Sequence, residues 1–166
     1  MRGISGRWAL VAALLAAVTG TTGALGQDDS GKIPFPADYR TWTHVKSMII
    51  LPGHPLADPF KGIHHVYAND AALAGFATGQ FADGSVLVFD LLEAVSGGDA
   101  IAEGPRVLVG VMAKSAGKYA ATDGWGYEGF AGGSTTERLV SDAAAQCHGC
   151  HAGTAATGYV FSGLRN

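Results

Sequence analysis

The chain has 166 residues, 48% of them apolar, with 11 Lys and Arg against 14 Asp and Glu for a net charge of −3. That length suits one domain with a modest core and leaves no room for a second of ordinary size. The acidic balance argues against a nucleic-acid partner and against a polybasic membrane patch.

Residues 1–26 read as a secretory signal. Arg2 and Arg7 precede the apolar run from Trp8 to Val18, and Ala24-Leu25-Gly26 offers a small-residue cleavage site. The run is 11 residues long, well short of the roughly 20 that span a bilayer as a helix. Export, periplasmic or beyond, is therefore expected with no membrane span, since no later segment is long enough. Cleavage would leave 140 residues and remove two arginines, taking the charge to −5. Residues 27–36, polar and then Pro-bearing, read as an arm or linker before a single domain over 37–166.

Residues 36–42 suggest one or two helical turns with Tyr39 and Trp42 as aromatic surface, and the β-branched run 45–51 a strand. Three prolines make 52–61 a loop, after which 63–67 is again extended. Asn69 is placed to cap a helix over 70–77 that Gly79 stops. Asp83-Gly84 is a turn into a strand over 85–92, with Ser85, Leu87, Phe89 and Leu91 on one face and Val86, Val88, Asp90 and Leu92 on the other. After Gly97-Gly98, strands follow at 106–114 and 124–130. Ser141 is a plausible N-cap for a helix over 142–151, and 159–164 is a candidate last strand. Period two dominates, so the expected fold is α+β, mainly antiparallel sheet with short helices, and all-helical folds are excluded.

The most specific segment is Cys147-His148-Gly149-Cys150-His151, which holds both cysteines of the chain. In a C-x-x-C-H segment two thiols can each add to one haem vinyl group while the adjoining histidine ligates iron, so one covalent haem c is expected, with His151 as its metal ligand. A thioredoxin-type redox pair is the competing reading, but such pairs sit early in a βαβ unit, and this one falls on the last helix. Zinc would need four ligands, and His148 and His151 could hardly converge with both thiolates.

A haem c motif at the end of a β-rich domain resembles the cytochrome P-460 and cytochrome c′-beta family of exported monohaem proteins. The likeness runs through Tyr39-Arg40-Thr41-Trp42, His65-Val66-Tyr67-Ala68-Asn69-Asp70, Phe81-Ala82-Asp83-Gly84-Ser85-Val86-Leu87-Val88 and Gly124-Trp125-Gly126-Tyr127-Glu128 to the motif. The resemblance implies a homodimer and a five-coordinate haem whose only protein ligand is His151. In the P-460 branch a lysine follows the D-G-[ST]-V-x-V segment and bonds to the porphyrin for hydroxylamine oxidation. Here that position is Phe89, as in the c′-beta branch, which implies binding of diatomic ligands, chiefly nitric oxide and also carbon monoxide. The alternatives are a P-460-type hydroxylamine or nitric oxide oxidoreductase and a six-coordinate electron-transfer cytochrome with an unidentified redox partner.

Other positions carry open readings. Phe89 is either a core aromatic or the wall of the distal pocket, or both. His64 falls where the P-460 branch tends to place a distal arginine; it would hydrogen-bond a bound ligand, cap the iron, or simply face solvent. His65 lies on the opposite face of its strand. Phe60 is a second distal aromatic candidate. Met48 and Met112 are alternative axial ligands or core filler. Arg40 and Arg106 are candidates for haem propionates, and Glu128 is a proton acceptor or a structural charge. Lys114 and Lys118 flank an exposed turn, and His148, inside the motif, is given no role.

Overall fold

The computed structural model describes residues 32–165, so the signal expected at 1–26 lies outside the described residues. Five strands, β1 (Thr43–Ile50), β2 (Gly62–Ala68), β3 (Val86–Gly97), β4 (Ala100–Lys114) and β5 (Trp125–Ala131), form one sheet in the order 1-2-3-4-5, every pair antiparallel. Short α-helical pieces accompany it: α1 (Ala57–Phe60), α2 (Asp70–Thr78) and α3 (Gly149–His151). This is the α+β architecture that the period-two patterning predicts.

Alternation along the strands gives the sheet two apolar faces. On the front, Val45, Val66, Leu87, Trp125 and Tyr127 form a core that α2 covers through Ala72, with Phe81 just beyond the helix. On the back, Tyr39, Val88, Val109, Val111 and Phe130 form a second core, joined by Ile33 and Phe35 from the segment ahead of the first turn. Burying each of these larger apolar side chains stabilises the fold by about 1.5–3 kcal/mol.

The helix signals around α2 hold in full. Asn69 Oδ1 accepts from the Ala72 N–H at 3.0 Å and also from the Val86 N–H at 3.0 Å, while its Nδ2 donates to the Gly84 carbonyl at 3.0 Å. One side chain thus caps the helix and ties it to the start of β3. Gly79 ends the helix at φ 71°, a left-handed conformation that glycine adopts without a Cβ penalty.

Four expectations need correction. The loop expected over 52–61 contains the short helix α1 at Ala57–Phe60. The β3–β4 hairpin is longer than 85–92 and 106–114 because it continues to a turn at Gly98-Asp99. There Val95 and Ile101 are 49% and 47% exposed, so no burial imprints an alternation on that part of the sequence. Ser141 does not cap the last helical stretch: its N–H donates to Gln146 Oε1 at 2.8 Å, and Asp142 Oδ1 takes the Ala145 N–H at 3.0 Å. Residues 159–164 are not a strand. Tyr159 turns the chain through φ 69° at its start, and the Thr157 hydroxyl donates to the Val160 carbonyl at 2.8 Å, so the backbone leaves the extended region. The Arg165 N–H reaches β1 at the Val45 carbonyl, 3.1 Å away.

Candidate functional site

The chain reaches the motif by running along the free edge of β5, where the Ala131 N–H donates to Glu137 at 3.0 Å and the Leu139 N–H to Gly129 at 2.8 Å. Leu139 then crosses close over Gly129, where a Cβ would come within 3.3 Å of it. The chain next enters a helical stretch in three registers: a π turn at Ala144–His148, α3, and a 3-10 turn at Ala152–Thr157. π turns recur at functional sites because the widened turn re-aims side chains. Both cysteines lie on this stretch.

Cys147 packs against the front core, and Cys150 is exposed. Burial, followed by the nearby Glu128 and Cys150, pushes the Cys147 thiol up. The attacking sulfur of a redox dithiol is held as thiolate, and the surroundings of Cys147 disfavour that form. Among the described residues no three His, Cys, Asp or Glu side chains are grouped to hold a metal ion by themselves.

His151 is half-buried, with Tyr127 on one side at 5.1 Å between ring centroids and Phe161 edge-on at 4.9 Å. Its Nδ1 lies 2.8 Å from the Tyr159 carbonyl oxygen. A carbonyl only accepts, so Nδ1 carries the hydrogen and the Nε2 lone pair is left for a metal. Burial lowers the His151 pKa against the raising effect of that hydrogen bond, and neighbouring His148 lowers it further. The neutral imidazole is the form that ligates.

A second group of rings stands on the same front face, since Phe89 and Cys147 pack against one core cluster. Phe89 sits between Val66 on β2 and Gly110 on β4. The His64 ring lies 4.6 Å from it at 34°, and Phe60, carried in by α1, meets it edge-on at 5.7 Å. His64 is only 5% exposed, so its solvent-facing reading is overturned. Its Nδ1 is buried without a hydrogen-bond partner, and burial, with a smaller effect of His65, pushes its pKa down to about 4. A buried polar atom with no partner costs about 1–3 kcal/mol. An unmet polar atom of this kind is what a site made for a bound group leaves behind when described without it.

The remaining candidates divide by face. His65 points to the back, where it bonds Ser47 Oγ and Glu103 Oε1, each at 2.6 Å. Arg106 grips the buried Asp90 carboxylate at 2.5 and 3.1 Å, so its guanidinium is committed to a back-face carboxylate rather than to propionates, and the more exposed Arg40 lies 3.9 Å from the same group. Glu128 is a structural charge, paired with Arg138 at 2.5 Å and accepting from the Gly129 N–H at 2.9 Å. Lys114 Nζ donates to the Asp123 carbonyl at 2.7 Å. Met112 packs on the front core, and Met48 stands opposite His64 across β1 and β2, 47% exposed.

His148 is the residue that sequence reasoning passed over. Its Nε2 lies 3.0 Å from Asp123 Oδ2, its Nδ1 3.2 Å from the Tyr127 hydroxyl, and its ring stacks on Tyr159 at 5.5 Å and 28°. These partners lie far back in the chain or across a turn, so no local spacing announces them.

Two thiols at the attachment spacing, a histidine with one nitrogen tied back and the other free, and an aromatic cluster with an unmet polar atom on the same face together fit a covalently held haem. A late C-x-x-C-H segment on an antiparallel meander defines a β-rich haem c protein rather than a helical cytochrome. The family model Cytochrome P460 matches residues 36–162, and the chain belongs to that family. No curated protein matches it.

Proposed function

We propose that the protein is an exported, dimeric monohaem cytochrome that binds nitric oxide, with carbon monoxide as a second ligand, on an iron held by His151 alone. Cys147 and Cys150 would hold the haem, which would supply the iron that takes up the ligand. Tyr159 keeps Nδ1 of His151 protonated and so directs Nε2 to the metal. Phe89, flanked by Phe60 and His64, would present an apolar wall that disfavours water and suits a small diatomic ligand. His64, neutral at pH 7, offers one ring N–H to such a ligand.

The observation that carries this reading is the aromatic cluster around position 89, where the enzyme branch of the family would hold a crosslinking lysine. Absorption spectra of the oxidised, reduced and nitric oxide-treated protein, with the intact mass after denaturation, test it. A high-spin ferrous form that takes up nitric oxide, with a mass equal to chain plus haem, is expected. A red-shifted Soret band with a haem-to-lysine bond would instead establish the hydroxylamine-oxidising reading.

One observation favours a second reading, a six-coordinate electron carrier: the unpartnered Nδ1 of His64. A low-spin ferrous spectrum without added ligand, abolished in His64→Leu, would establish it.

A further inference from the structure

We propose that His148, inside the attachment motif, is a positioning residue that fixes the orientation and basicity of His151 through Tyr159. This rests on the reading of His151 as the iron ligand.

The Asp123 carboxylate only accepts, so His148 Nε2 carries the hydrogen and donates across 3.0 Å. In the neutral ring Nδ1 is then an acceptor, and the Tyr127 hydroxyl donates to it across 3.2 Å. Two contacts from two elements, β5 and the turn before it, thus lock the ring in one plane. On that plane lies the Tyr159 ring, 5.5 Å away and 28° from parallel. Tyr159 adopts φ 69°, a conformation that non-glycine residues hold only when surroundings over-determine it. Its carbonyl accepts the Nδ1 hydrogen of His151 at 2.8 Å, and the Tyr127 ring, whose hydroxyl His148 holds, packs against the His151 ring. Asp123 and Tyr127, through His148 and Tyr159, therefore determine where the His151 acceptor stands.

A hydrogen bond from the distal nitrogen of a metal-bound imidazole raises its basicity and strengthens the metal bond. Loosening Tyr159 should weaken both. In holoprotein carrying His148→Phe, which keeps a flat ring on Tyr159 but breaks both hydrogen bonds, the ferrous iron–histidine stretch seen by resonance Raman should fall in frequency. The midpoint potential should rise. Asp123→Asn and Tyr127→Phe, both outside the motif, should give smaller shifts in the same directions, and they decide the matter if His148→Phe fails to take up haem. A role in stability alone would lower the unfolding midpoint and leave frequency and potential in place, and that result in the variants would overturn the proposal. Absence of any iron–histidine band from a high-spin ferrous form of the unsubstituted protein would instead refute His151 as ligand, and with it the proposed function.

Discussion

His64 and Phe89 stand ring to ring at 4.6 Å although they are not partners in the ladder: His64 is opposite Leu91, and Phe89 is opposite Val66. The contact is a diagonal one across β2 and β3, within reach of large side chains on one face. It joins the buried side-chain atom that, among the described residues, lacks a hydrogen-bond partner to the residue on which the proposed nitric oxide reading rests.

Replacing Phe89 by alanine should therefore open space beside His64 on the front face. The association rate of nitric oxide, followed by stopped flow, is expected to rise on the order of tenfold, equivalent to removing about 1.4 kcal/mol of steric barrier. Leucine at the same position should stay near the unsubstituted rate. An unchanged rate in the alanine variant would remove Phe89 from the ligand's path.

His64 makes stability depend on pH. Its folded pKa of about 4 lies below the ordinary 6.5, so between these values the unfolded chain binds more protons and stability falls as pH drops. The loss approaches about 3 kcal/mol once pH is below 4. Urea unfolding of the haem-free protein between pH 4 and 7 should show a shallower decline in His64→Leu. At pH 7 that variant should be more stable by about 1 kcal/mol, because the unmet nitrogen is gone. Parallel curves for the two proteins would refute the assignment.

On the back face, Asp90 is 3% exposed and accepts from the Tyr39 hydroxyl at 2.6 Å as well as from Arg106. Asp90→Ala should cost about 3–5 kcal/mol, since it leaves a guanidinium and a fully buried phenol without their partner. Tyr39→Phe should cost only about 1 kcal/mol, because Arg106 still satisfies the carboxylate. Equal losses in the two variants, measured by denaturant midpoints, would contradict this hierarchy.

Gly158 holds the turn ahead of Tyr159 at φ 71°, and a Cβ there would lie 2.4 Å from the Gly79 carbonyl and 2.7 Å from the Phe81 ring. Its own carbonyl accepts from Trp125 Nε1 at 3.0 Å. Gly158→Ala is expected to destabilise by about 2 kcal/mol or more and to shift Trp125 fluorescence as the turn is pushed off α2. Unchanged fluorescence with full stability would show that the turn yields freely.

How much of the molecule is legible in the chain depends on the reach of each signal. α2 is legible because its cap, its first turn and its terminating glycine all lie within Asn69 to Gly79. The two faces of β3 are legible up to Leu92, where packing on both sides imposes alternation, and lost beyond it where the hairpin stands in solvent. The two cysteines of the attachment segment are legible because a haem c motif is defined by local spacing. His148 is not: what it does depends on Asp123 and Tyr127, 25 and 21 residues earlier, and on a left-handed Tyr159 that no composition rule predicts. The commitment of Arg106 to Asp90 is hidden similarly, since it depends on which way β3 and β4 face.

The strand order has a kinetic meaning as well. Each strand pairs with the one next to it in sequence, so the sheet can zip by successive hairpins, each closing a short loop. The attachment segment follows all five strands, so the sheet does not need it in order to pair. A chain whose cysteines are blocked should still acquire its strands at nearly the normal speed.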